Sequence, residues 1–220
     1  MLLADSTLAV VPAGVPDHEA LLAGDVLPTG LFAADQAEVA PGAVVAVVGC
    51  GPVKLAAVVA AREREAATVF AVDGVAERLA LAGRFGALPV DSGREDPRTA
   101  VETATDSRGA DAVLEAVGSP AASRLALDLL RPGGTIAAVG VHTEPAFPFS
   151  PVEAYDKNLT YRAGRCPARA YLDRALALLA SRRYDLGAIL THHLPLADGP
   201  RAYELFAARR DGCIKAVLLP

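Results

Sequence analysis

This 220-residue chain has no tryptophan, one methionine and only 5% aromatic residues. Its apolar interior must therefore be built from Ala, Val and Leu, the composition of helices packed on a parallel sheet. Cysteine is scarce as well. Cys50, Cys166 and Cys213 are odd in number and far apart, which excludes a disulfide framework and a zinc knot. Cys50 reads as a small apolar residue. Lys54, Lys157 and Lys215 are the only lysines among 21 basic residues. With 26 acidic side chains the net charge is −5, and no basic stripe is available for nucleic acid. No apolar run reaches transmembrane length, and the chain does not open with a basic segment followed by an apolar signal core. The expectation is a cytoplasmic protein that meets a small-molecule substrate, with neither nucleic acid nor membrane as partner.

What the sequence does contain is a strand, a glycine turn and a helix start in Val44-Val-Ala-Val-Val-Gly49-Cys50-Gly51-Pro52-Val53-Lys54-Leu55. This is the layout of G-x-G-x-x-G, except that lysine stands at the third glycine. Gly49 would make the tight turn and Gly51 would admit a pyrophosphate to the backbone. Pro52 suits a first helical position, and the helix start would face phosphate with partial positive charge. Thr68–Val72 reads as the next strand. Asp73 follows it, about twenty residues past the loop, where a carboxylate accepts from a ribose hydroxyl and favours NAD over NADP. Lys54 has two readings. Its side chain either reaches solvent, or it projects toward the phosphate and substrate cleft, where it would bind an anion or obstruct NAD.

Short apolar runs alternate with helical periods along the chain, as in βαβ units. The predicted strands are 43–48, 69–72, 88–90, 112–116 and 135–141. The predicted helices between them are 53–63, 75–85, 97–105 and 121–130. Residues 1–42 add a strand-like Leu8–Val11 and helices over 17–23 and 28–39. The last part adds strand-like 159–163, helix 170–181, strand-like 188–194, helix 198–209 and a closing strand 214–219. The fold class is α/β, a doubly wound parallel sheet (Rossmann-like) with a small residual sheet from the two chain ends.

Taken together, Asp25-Val-Leu-Pro-Thr29-Gly30, Val47–Val53, Val72-Asp73, Gly109–Gly118, Arg131–Ile136 and Lys215–Leu219 resemble the carboxy-terminal half of the medium-chain dehydrogenase/reductase family, the zinc-dependent alcohol dehydrogenases. The resemblance implies three regions. Residues 1–42 would be a remnant of the catalytic-domain side. Residues 43–165 would be the dinucleotide-binding core. Residues 166–220 would be helices and returning strands that complete the domain. It also implies that Thr29, Val117, Gly118, Val139, Gly140 and Val141 border the nicotinamide, that Gly49, Gly51, Pro52 and Val53 carry the diphosphate, and that Gly164-Arg165 lies on the cofactor's far side. The family's amino-terminal catalytic domain, with its first zinc ligands, is not matched by this sequence. Asp25 matches a third zinc ligand but stands without the others, so no metal site is expected. NAD(H) is expected as cofactor, weakened by Lys54. Family members pair through this domain, and a homodimer is expected.

Three functions fit these residues. One is an NAD(H)-linked oxidoreductase of zinc-independent type. The second is a non-redox enzyme, an isomerase, cyclase or lyase, with Lys54 as general acid/base or imine former and Asp25 or His142 assisting. It would draw on Asp25, Lys54, Asp73, Asp91, Glu115 and His142, which all fall near the carboxyl ends of strands, where open α/β sheets place their ligands. The third is a non-catalytic partner subunit.

Overall fold

The computed structural model describes residues 8–208 and 210–220. In chain order the first elements are α1 (Asp17–Ala20), α2 (Val26–Gln36), β1 (Val44–Val48), α3 (Pro52–Glu63), β2 (Thr68–Asp73) and α4 (Ala76–Arg84). Next come β3 (Leu88–Asp91), α5 (Pro97–Ala104), β4 (Ala110–Glu115), α6 (Pro120–Leu129) and β5 (Leu130–Ala138). The last are α7 (Pro151–Asp156), β6 (Thr160–Ala163), α8 (Ala168–Ser181), β7 (His192–Pro195), α9 (Gly199–Ala208) and β8 (Ala216–Leu219). The chain divides into two compact units, one of residues 29–166 and one of residues 1–28 with 167–220.

The unit of residues 29–166 carries six parallel strands in the order β3-β2-β1-β4-β5-β6. This is the doubly wound arrangement, and the chain reverses direction across the sheet between β1 and β4. The central strands are covered on both faces. Val45, Ala46 and Val47 have no exposed surface, and Val113 and Leu114 are equally enclosed. That is why they read as unbroken apolar runs rather than as alternating patterns. On one side Val113, Ala126, Leu127 and Ile136 meet Val101 of α5 in a continuous core. Register places Val48 beside both Val72 and Glu115, and Glu115 beside Ala138. The strand ends are thus level, and the residues that follow them form one rim.

Two local features shape this unit. Gly30 of α2 lies directly on α3, where an added Cβ would stand 2.5 Å from the carbonyl carbon of Ala56. Strand β5 starts earlier than expected, at Leu130. It pairs Ala110 with Leu130, then Ala112 with Thr135. Residues 131–134 are therefore a bulge in the strand rather than a turn before it, and Gly133 takes φ +71° within it.

In the other unit β7 and β8 pair in parallel as a two-stranded sheet. Leu194, Ala202, Leu205 and Cys213 form its small core. Both strands come from the carboxy-terminal end. Leu8–Val11 has no regular structure and is exposed. Residues Leu186–Ile189 form a short 3-10 turn instead of the first half of a strand. Arg209, the end of the expected last helix, lies outside the described residues, as do residues 1–7 of the expected first region. No helix among the described residues is long and apolar enough to cross a membrane.

Candidate active-site crevice

The turn after β1 is held by its backbone. Gly49 adopts φ +86°, a conformation that favours glycine. Its N–H donates to the carbonyl of Val72 at 2.6 Å, which ties the turn to the end of β2. Gly51 is the N-cap of α3 and offers no side-chain acceptor, and Pro52 opens the helix. The first N–H groups of α3 are consequently left to whatever lies above the turn. Asp73 closes the opposite side. Its Oδ2 accepts from the Cys50 N–H at 2.6 Å and its Oδ1 from the Val75 N–H at 2.9 Å. The carboxylate keeps further lone pairs for a ligand hydroxyl. Cys50 is fully buried, and burial, with Asp73 adding to it, pushes its thiol up to about 12. It stays protonated and unreactive.

Lys54 does not reach outward. Its side chain bends back across the turn. A Cβ built at Gly49 would lie 3.3 Å from Lys54 Cε, and one at Gly51 would lie 3.7 Å from Lys54 Nζ. The space that two glycines leave free is therefore filled by the lysine stem. The side chain is half-buried. Burial draws its ammonium below the ordinary lysine range. The carboxylates of Glu115 and Asp73 pull the other way, and Arg78 of α4 adds to the fall.

The far wall comes from the ends of β4 and β5. Glu115 has no exposed surface, yet it is fully partnered. Its Oε1 accepts from the N–H groups of Val117 and Gly118 at 2.5 and 2.8 Å. Its Oε2 lies 3.0 Å from Nε2 of His142. A carboxylate with two amide donors is an acceptor, so Nε2–H donates to it and Nδ1 is left as the basic nitrogen. The His142 imidazole remains partly open to solvent. Sequence reasoning placed both residues near strand ends but did not pair them. They are 27 positions apart, and only the adjacency of β4 and β5 brings them together.

Gly118 and Gly140 have a packing reason of their own. A Cβ at Gly118 would be 2.3 Å from the Val141 carbonyl oxygen, and one at Gly140 would be 2.3 Å from the Gly118 nitrogen. The two loops touch backbone to backbone. Val117 lies against Gly49, its Cγ2 3.0 Å from where a Cβ would be. Val117 and Val141 are exposed, and Val139 and Pro52–Val53 are half-buried. Thr29 is half-buried beside Gly30 on α2, and Arg165 is exposed beyond β6. Asp25 is exposed and belongs to the other unit. Among the described residues no three His, Cys, Asp or Glu side chains are grouped to hold a metal ion.

A six-stranded doubly wound sheet, with a left-handed glycine turn at its switch point and an acid after the second strand, defines a Rossmann-like α/β protein. The family described as zinc-binding dehydrogenase matches residues 52–181. A zinc-type alcohol dehydrogenase B of Aspergillus flavus is 40% identical over 215 residues, covering 94% of this chain and 50% of that protein. A probable zinc-binding alcohol dehydrogenase of Mycobacterium tuberculosis is 39% identical, covering 99% of this chain and 56% of that protein. The solved alcohol dehydrogenase of Thermus sp. ATN1 superposes with a TM-score of 0.91 at 40% identity, over 96% of this chain and 61% of that one. The chain belongs to the zinc-binding dehydrogenase family. It spans about half the length of the curated relatives it matches.

Proposed function

We propose that the crevice is a dinucleotide site and that this chain is the nucleotide-binding part of an NAD(H)-linked oxidoreductase. The observation that supports this most is the pairing of the Gly49 turn with the Asp73 carboxylate across the Cys50 amide, at 2.6 Å. Gly49 and Gly51 present backbone to a pyrophosphate above the open start of α3. Asp73 keeps the geometry to accept a ribose hydroxyl, and its charge disfavours a 2′-phosphate. Bound NAD(H) would supply the hydride chemistry. For it to seat, the Lys54 stem has to leave the turn. The fit is therefore conditional on that one side chain, and binding is correspondingly weak.

His142 and Glu115 are the proton-handling pair of this reading. Glu115 fixes the imidazole with Nδ1 unprotonated, and solvent reaches the ring. Nδ1 is then free to take a proton from an alcohol or, once charged, to return one to a carbonyl. This reading assigns no zinc ligand to the chain, because Asp25 is the only residue that matches one. Fluorescence titration of NADH against the purified protein tests it. Saturable enhancement in the micromolar to millimolar range is expected, and its absence at millimolar cofactor ends the proposal.

A further inference from the structure

We propose that the Lys54 amine is a carbonyl-capturing site, which condenses with a small neutral aldehyde or ketone inside the crevice. Among the described residues no hydrogen bond or ion pair holds Nζ of Lys54. Lys157, also half-buried, is anchored instead to the carbonyls of Leu127 and Leu130 at 2.5 and 2.6 Å. The carboxylates that act on Lys54 are those of Asp73 and Glu115. Both are already engaged, Asp73 by two backbone amides and Glu115 by two amides and His142. They do not clamp the ammonium, yet their charge remains in the crevice.

A neutral carbonyl brings no charge of its own into the crevice. The iminium cation formed from it would be stabilised by the same two groups. Burial also favours the uncharged amine, which is the nucleophilic form. Arg78 acts in the same direction, while Glu115 and Asp73 oppose it.

In the reaction the Nζ lone pair attacks the carbonyl carbon and the carbonyl oxygen takes a proton, giving a carbinolamine. That oxygen then leaves as water while the nitrogen electron pair closes the C=N bond. One amine and one carbonyl compound become one imine and one water, and no oxidant or reductant is consumed. His142, hydrogen-bonded to Glu115 and open to solvent, stands in the same crevice to move the proton. The inference does not depend on nucleotide binding.

The test uses the full chain at pH 7 with benzaldehyde and sodium cyanoborohydride, which fixes any imine as a benzylamine. An N-acetyl-lysine amide in the same tube serves as reference amine. With three lysines in the sequence, peptide mass mapping resolves each one. Lys54 is expected to be labelled faster than the reference amine and before Lys157 and Lys215. A rate equal to or below that of the reference overturns the proposal, as does label that accumulates first on Lys157 or Lys215.

Discussion

A glycine at position 54 would leave the turn after β1 open, whereas lysine fills it with a four-carbon stem and an amine. The fingerprint in the sequence exposed that substitution, because every other element of the pattern was in register. The direction the side chain takes was not legible. Both a solvent-facing and a crevice-facing lysine satisfy the sequence, and only the contacts with Gly49 and Gly51 select the second. Glu115 was visible as an acid at a strand end, but its burial and its three partners depend on how β4 meets β5. Glu115→Ala leaves the Val117 and Gly118 amides and the His142 ring without their acceptor. We expect a loss of about 2–4 kcal/mol in urea unfolding.

The strands and helices of residues 43–138 were legible because buried parallel strands are continuously apolar and the helices between them keep their period. Helix α7 was missed, although Ser150-Pro-Val-Glu153 spells its start. Ser150 accepts from the Glu153 amide, and Glu153 reaches back to the Ser150 amide. This reciprocal cap is readable without any tertiary information. The bulge in β5 was not readable, since Pro132-Gly133-Gly134 signals a turn equally well inside or outside a strand. Gly30→Ala tests the α2–α3 contact. Its methyl would overlap the Ala56 backbone, and a loss of about 1–3 kcal/mol is expected from chemical denaturation.

Acid sensitivity belongs to the opposite end of the same sheet. Asp111 of β4 accepts from the Val44 N–H and from Arg108 and Arg131. Burial raises its carboxyl, but the hydrogen bonds from Arg108, Val44 and Arg131 outweigh that and hold it at about 2, against an ordinary 3.8. A carboxyl lowered by folding contributes stability above its unfolded value and loses it as pH falls toward the folded value. Asp111→Asn is therefore expected to destabilise the protein at pH 7 by about 1–3 kcal/mol. The difference from the parent should shrink between pH 4 and pH 2, as followed by thermal unfolding.

At the scale of the molecule, the six-stranded sheet ends at β6, and Thr160–Ala163 has no strand on its outer side among the described residues. Phe147, Val152 and Tyr155, on the loop and helix before it, are largely exposed. An open strand edge beside exposed apolar side chains favours self-association. We expect a dimer by sedimentation equilibrium, and a shift to monomer in a Val152→Glu, Tyr155→Glu double variant that keeps its far-UV spectrum.

The Lys54 stem lies over Gly49 and Gly51, where a pyrophosphate would approach the turn. Calorimetric titration of NADH into the parent protein and into Lys54→Gly tests whether it obstructs binding. The variant is expected to bind at least about tenfold more tightly, a difference of roughly 1.4 kcal/mol. Equal affinity in the two proteins, or no binding by either at millimolar NADH, would contradict it.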